Sequence, residues 1–154
     1  MLRSFVFAAL ITQNRSTIWS GYNSVRDMNI RTLNKVVLTI WITGLVVGGA
    51  THVFDNIYFG LLPYRFAPDW LNIYWSSLGL LDFLAVLLLW KKRKLGILLT
   101  IAIMVSNVAI NSLALHSLGV LSESLPLQIQ SLFLGFCLGS AYLLWQQRGI
   151  SDGS

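Results

Sequence analysis

Five side chains in this sequence of 154 residues combine reactive or hydrogen-bonding groups with apolar surroundings: His52, Asp55, Asp82, Asn107 and Asn111. Asp82 sits inside the run NIYWSSLGLLDFLAVLLLW, and an Asp at the centre of a membrane helix costs about 2.5–3.5 kcal/mol on insertion scales. Its carboxyl is therefore either a neutral group tied to Asn107 for packing, or a protonated donor available for acid–base work. His52 and Asp55 have the spacing of an oriented imidazole–carboxylate pair, which fixes a tautomer for proton transfer. A purely structural pair at the membrane interface has the same spacing. Asn107 and Asn111 share one helix face and either bond between helices or line a ligand site.

Composition sets the elements that must position these groups. Hydrophobic residues make up 55% of the chain and charged residues 11%, against roughly 25% charged in soluble domains. Four apolar runs of about 20 residues each can cross about 30 Å of hydrocarbon. They predict an all-α membrane protein, a four-transmembrane-helix bundle occupying residues 31–148, with helices near 36–59, 70–90, 95–118 and 127–145. Residues 1–30 read as a disordered polar leader, with Met28 as an alternative start, and residues 149–154 as a short tail. Pro63 and Pro68 stop helix propagation between the first two spans, Asp69 is placed to cap the second, and Pro126 falls in the first turn of the fourth.

The helical period groups Gly44, Gly48, His52 and Asp55 on helix one, and Trp75, Gly79 and Asp82 on helix two. On helix three Asn107 and Asn111 stand above Thr100 and Met104, and helix four offers Gln128, Ser131, Gly135, Gly139 and Tyr142. At about 1.5 Å per residue, Asp82 lies roughly 12 Å from the inner boundary, Asn107 roughly 16 Å, Asn111 roughly 22 Å and His52 roughly 24 Å. With these stripes facing inward, the expectation is a polar cleft that widens toward the outer side and ends near Asp82. The spacings Gly44/Gly48 and Gly135/Gly139 predict close helix packing.

Basic residues orient the chain. Arg3, Arg15, Arg26, Arg31 and Lys35 precede helix one, Lys91, Lys92, Arg93 and Lys94 join helices two and three, and Arg148 follows helix four. Only Arg65 lies opposite. The positive-inside rule predicts both termini in the cytoplasm and a location in the cell (inner) membrane. It also accounts for the net charge of +5 without nucleic acid. Trp70, Tyr74 and Trp75 are expected in an outer aromatic belt, Trp90 and Trp145 in an inner one.

Other chemistries find no pattern here. The one cysteine, Cys137, lies in an apolar run and reads as a small buried hydrophobe. His52, Asp55 and His116 are the only candidate metal ligands and their spacing matches no metal motif, so no metal is predicted. There is no Gly-x-Ser-x-Gly turn, no phosphate loop and no histidine pair suited to haem, so no cofactor is predicted.

The segment HVFDN at residues 52–56, the outer loop ending in PDW at 68–70, and Asp82 in helix two resemble the EXPERA group of four- and five-helix membrane proteins, which includes sterol isomerases and the sigma-2 receptor. The resemblance implies that Asp55 and Asp82 line a membrane-embedded pocket for a sterol-like or cationic amphipathic ligand. Helix two departs from that group in carrying Asp where Glu is common, with no proline after it. Three readings follow. The first is a membrane protein binding a small lipidic or amphipathic ligand; as an enzyme it would transfer protons in an isomerase-like step, with His52 or Asp55 as base and Asp82 as protonated partner. The second is a subunit or assembly factor whose polar stripes meet a membrane partner. The third is a small transporter working as a homo-oligomer.

Overall fold

All three prolines, Pro63, Pro68 and Pro126, lie outside helix interiors, and long uninterrupted helices fill the rest. The computed structural model describes the backbone of residues 2–146 and the side chains of residues 28–146. Four helices are present among them: α1 (Leu2–Tyr58), α2 (Asp69–Lys91), α3 (Arg93–His116) and α4 (Leu125–Trp145). Each contains a stretch long and apolar enough to cross a membrane, that of α1 being Met28–Tyr58. The helix ends of α2, α3 and α4 fall within two residues of the sequence expectation. The polar leader differs: its backbone is helical from Leu2 onward, since it holds no proline and a single glycine, Gly21, to interrupt propagation. Arg148 and the 149–154 tail lie outside the described residues.

The chain divides into two compact units, Met1–Val36 and Val37–Ser154. The second holds the bundle. There α1 crosses α2 where two glycines meet: a Cβ at Gly79 would stand 2.8 Å from Val53 Cγ2 and 3.4 Å from the Gly49 carbonyl oxygen. The α2–α3 link is a single residue, Lys92 (φ −138°, ψ 70°), whose N–H reaches the Leu88 carbonyl at 2.7 Å. That turn closes only because Gly96 lies directly against the backbone of Leu88 and Leu89. Tyr74 and Ser106 join α2 to α3 through their hydroxyls at 2.9 Å. The ring is completed between α1 and α4, where the fully buried Trp41 donates from Nε1 to Ser140 Oγ at 3.0 Å.

Three expectations about faces need revision. The stripe chosen on α4 points outward: Gln128, Ser131, Gly135, Gly139 and Tyr142 are exposed, while Phe133, Cys137, Ser140 and Leu144 turn in. Accordingly a Cβ at Gly135 or Gly139 would meet nothing within 4 Å, whereas at Gly44 it would strike the Phe133 ring at 2.5 Å. Asp69 begins α2 without a side-chain cap, the N-cap being Pro68. Trp70 is exposed in the first turn of α2, but Trp75 is buried, so it belongs to the interior and not to a belt. At the opposite end Lys94 stacks over Trp145, 5.4 Å from the ring centroid.

Gly96→Ala is expected to lower the melting temperature in detergent by overpacking the α2–α3 turn, a cost of about 1–3 kcal/mol for a clash that the backbone must absorb. Gly135→Ala, in open space, is expected to leave it unchanged or slightly raised, since Ala is the better helix former. Equal effects from the two substitutions would contradict the packing described.

Candidate functional site

The loop between α1 and α2 carries a backbone conformation that needs explaining; the end of the bundle it occupies is termed the outer end. Gly60 (φ 87°) and Leu62 (φ 57°) both occupy the left-handed region, which is ordinary for glycine and costly for leucine. Asn72, buried in the first turn of α2, holds the segment: its Nδ2 donates to the Leu62 carbonyl at 3.0 Å, and its Oδ1 accepts from the Tyr64 backbone N–H at 3.0 Å. One amide thus fixes the loop on both sides of Pro63 and aims Tyr64 at α1.

Tyr64 then connects the two residues that the sequence pairs directly. Its hydroxyl donates to Asp55 Oδ2 at 2.8 Å and lies 3.0 Å from His52 Nδ1. A phenol has one proton to give, so with Asp55 receiving it, His52 Nδ1 carries the proton donated to Tyr64. In a neutral ring Nε2 is then the nitrogen without a proton. Burial raises the Tyr64 pKa well above that of an ordinary tyrosine, and the hydrogen bond to Asp55 and its charge add to the rise. Tyr64 therefore remains a donor throughout the neutral range. The phenol ring packs edge-on to Trp75, 5.3 Å between centroids. Beneath it, Asn56 Nδ2 bonds the His52 carbonyl at 2.7 Å and the Ser76 carbonyl at 3.3 Å, locking α1 to α2 at this level.

The two asparagines of α3 form the rear wall. Trp75 Nε1 donates to Asn111 Oδ1 at 2.8 Å, and Asn111 Nδ2 donates to Asn107 Oδ1 at 3.1 Å and to Gln130 Oε1 on α4 at 2.7 Å. In front of them lie two cavities. The outer, of about 550 Å³, is lined by His52, Asp55, Tyr64, Trp75, Asn111 and Glu123 among others. The inner, of about 350 Å³, is lined by Gly48, His52, Asp82, Asn107, Gln130 and Phe133 among others. Thr51, His52 and Gln130 border both, so the two adjoin. All five chemically equipped residues line one or both: Asp55 and Asn111 the outer, Asp82 and Asn107 the inner, His52 both.

Asp82 is 5% exposed and lines the inner cavity, yet among the described residues its carboxyl has no hydrogen-bond partner. Asn107 shares that cavity without bonding to it. Gly48 explains how the carboxyl gains its space: a Cβ there would meet only Asp82 Oδ2, at 3.1 Å. Gly44 and Gly48 are therefore the floor and wall of a chamber as much as a packing device. Among the described residues no group of three or more metal-ligating side chains converges.

Sequence reasoning overlooked Tyr64 and Gln130. Gln130 was recoverable, because with Cys137 and Ser140 it forms a helical stripe on α4; the neighbouring Gln128 and Ser131 made the opposite face look equally polar. Tyr64 lies in an irregular loop, where no periodicity directs a side chain. No family model, no curated protein and no solved structure matches this chain.

Tyr64→Phe removes the hydroxyl that links His52 to Asp55. The expected result is loss of the single Nδ1–H tautomer, read from imidazole ¹⁵N shifts, with the helical content preserved. An unchanged tautomer in the variant would show that Asp55 orients the ring without Tyr64.

Proposed function

We propose that this chain is a multi-pass membrane protein whose cleft binds a small lipidic or amphipathic molecule. The observation that carries the proposal is the Asp82 carboxyl, which has no hydrogen-bond partner among the described residues and lies against a largely apolar chamber. A buried ionisable group left unsatisfied by its own fold is costly in hydrocarbon and marks a site by default. The two adjoining cavities fall in the size range of small-molecule pockets, about 300–1,000 Å³. Their polarity is graded, from a hydrogen-bonded vestibule at the outer end to an apolar chamber at the inner, as an amphipathic occupant requires.

The proposed orientation has both termini in the cytoplasm of a cell membrane. Along the chain Arg31 and Lys35 precede the most apolar part of α1 and Lys91–Lys94 join α2 to α3, whereas the α1–α2 loop carries Arg65. The vestibule then opens outward. Asp55 and Asp82, the two acidic groups that the EXPERA resemblance implies, line the cleft together with Glu123, and no reaction is proposed from that likeness, because resemblance of fold does not transfer chemistry. A second reading, contact with a partner helix, is favoured by the open Gly135/Gly139 face of α4.

Native mass spectrometry of the gently purified chain beside its Asp82→Asn variant tests this. Asn keeps the shape and removes the titratable proton. A discrete small-molecule adduct on the wild type, lost or weakened in a folded variant, is the expected outcome. A stoichiometric second protein with no adduct on either form would move the polar faces from ligand binding to assembly.

A further inference from the structure

We propose that the Asp82 chamber is reached sideways from the membrane interior, through the gap between α1 and α4, so that its occupant is a bilayer-dissolved, largely apolar molecule carrying one hydrogen-bonding group. This rests on the membrane placement and the cleft reading above, and adds the route and the solubility class of the ligand.

The boundaries of the chamber carry the inference. Toward the inner end it is shut, with the Phe133 ring over Gly44 and, beyond it, the Trp41–Ser140 bond. Toward the vestibule its shared border carries Thr51, His52 and Gln130, and all three side chains are held by hydrogen bonds, Thr51 to the Gly48 carbonyl, His52 to Tyr64 and Gln130 to Asn111. Sideways it is edged by Val47 on α1 and Ile129 on α4, 60% and 61% exposed. Both belong to stretches apolar enough to span a membrane, so in a bilayer what meets them is acyl chain. Between those edges Gly48 contributes no side chain, and the position its Cβ would take faces Asp82 Oδ2 at 3.1 Å. Such a passage suits a molecule already dissolved in hydrocarbon and excludes one that must keep its hydration shell.

Carbodiimides of opposite solubility distinguish the two approaches. A carboxylic acid adds across the N=C=N unit to give an O-acylisourea, which rearranges to a stable N-acylurea; the whole reagent is retained and nothing leaves. The full chain is placed in phosphatidylcholine vesicles at mildly acidic pH and treated with dicyclohexylcarbodiimide or with the water-soluble ethyl-dimethylaminopropyl analogue. Peptide mass mapping then reads each site. The expected result is labelling of Asp82 about tenfold faster by the dicyclohexyl reagent, whose apolar rings concentrate it in the bilayer, and faster labelling of Asp55 by the water-soluble one. Gly48→Val, which fills the chamber, and Ile129→Trp, which narrows the gap from its exposed edge, are each expected to slow Asp82 labelling while leaving Asp55 unchanged. Ile129→Trp keeps the test usable should Gly48→Val not fold. Labelling of Asp82 by the water-soluble reagent at an equal or greater rate would overturn the lateral route, as would no labelling by either. A ligand adduct in native mass spectrometry alongside such a result would leave the binding site standing and remove only this path to it.

Discussion

The side-chain amide of Asn111 is the point on which the bundle's outer half depends. Its oxygen accepts from Trp75 on α2, and its nitrogen donates to Asn107 within α3 and to Gln130 on α4. Three helices meet at one planar group that uses its oxygen and both N–H protons. In a medium without water, such bonds contribute about 0.6 kcal/mol each on average, with the alternative of an unsatisfied amide much worse. Their larger effect is on register, because only one rotation of each helix presents all the partners at one depth.

Helix α1 is held in another way. Backbone approach at Gly49 and Gly79 fixes it to α2, and a single indole bond from Trp41 reaches α4 near the inner end. Among the described residues nothing comparable to the Asn111 knot joins α1 to α4 farther along. The space left there is the cleft, with His52, Asp55 and Tyr64 on α1 and a loop secured to α2, facing Asn107 and Asn111 of α3 and Gln130 of α4. Asp82 belongs to the same α2 surface. An amide with its polar groups satisfied thus stands near a carboxyl that has no hydrogen-bond partner among the described residues.

Much of this was legible from residue order. Hydropathy gave the four spans, since about 20 apolar residues admit few other structures, and the 3.6-residue period on α1 and α3 brought His52, Asp55, Asn107 and Asn111 to a common space. Asp82 was conspicuous by charge alone. Helix α4 failed because its polar residues occupy two faces, and only contact with Asn111 chooses between them. Small residues misled in the same manner: Gly135/Gly139 have the spacing of a close crossing, while the actual crossing uses Gly49 with Gly79, which no repeat announces. Tyr64 was invisible because its direction depends on a left-handed Leu62 and on Asn72, a conjunction that no local pattern encodes.

The one-residue link at Lys92 has a mechanical meaning. With Gly96 pressed on Leu88 and Leu89, α2 and α3 form a close clip with a single residue between its arms. The other connections are longer and run through glycines at positive φ, Gly60 in the first and Gly119 in the second. Compliance is thus distributed unevenly: the clip is a fixed frame, and α1 and α4 are its two hung leaves, meeting at the seam that bounds the chamber. Any change in the width of that seam is a movement of the leaves against a frame that carries Asp82, Asn107 and Asn111 and keeps them in place.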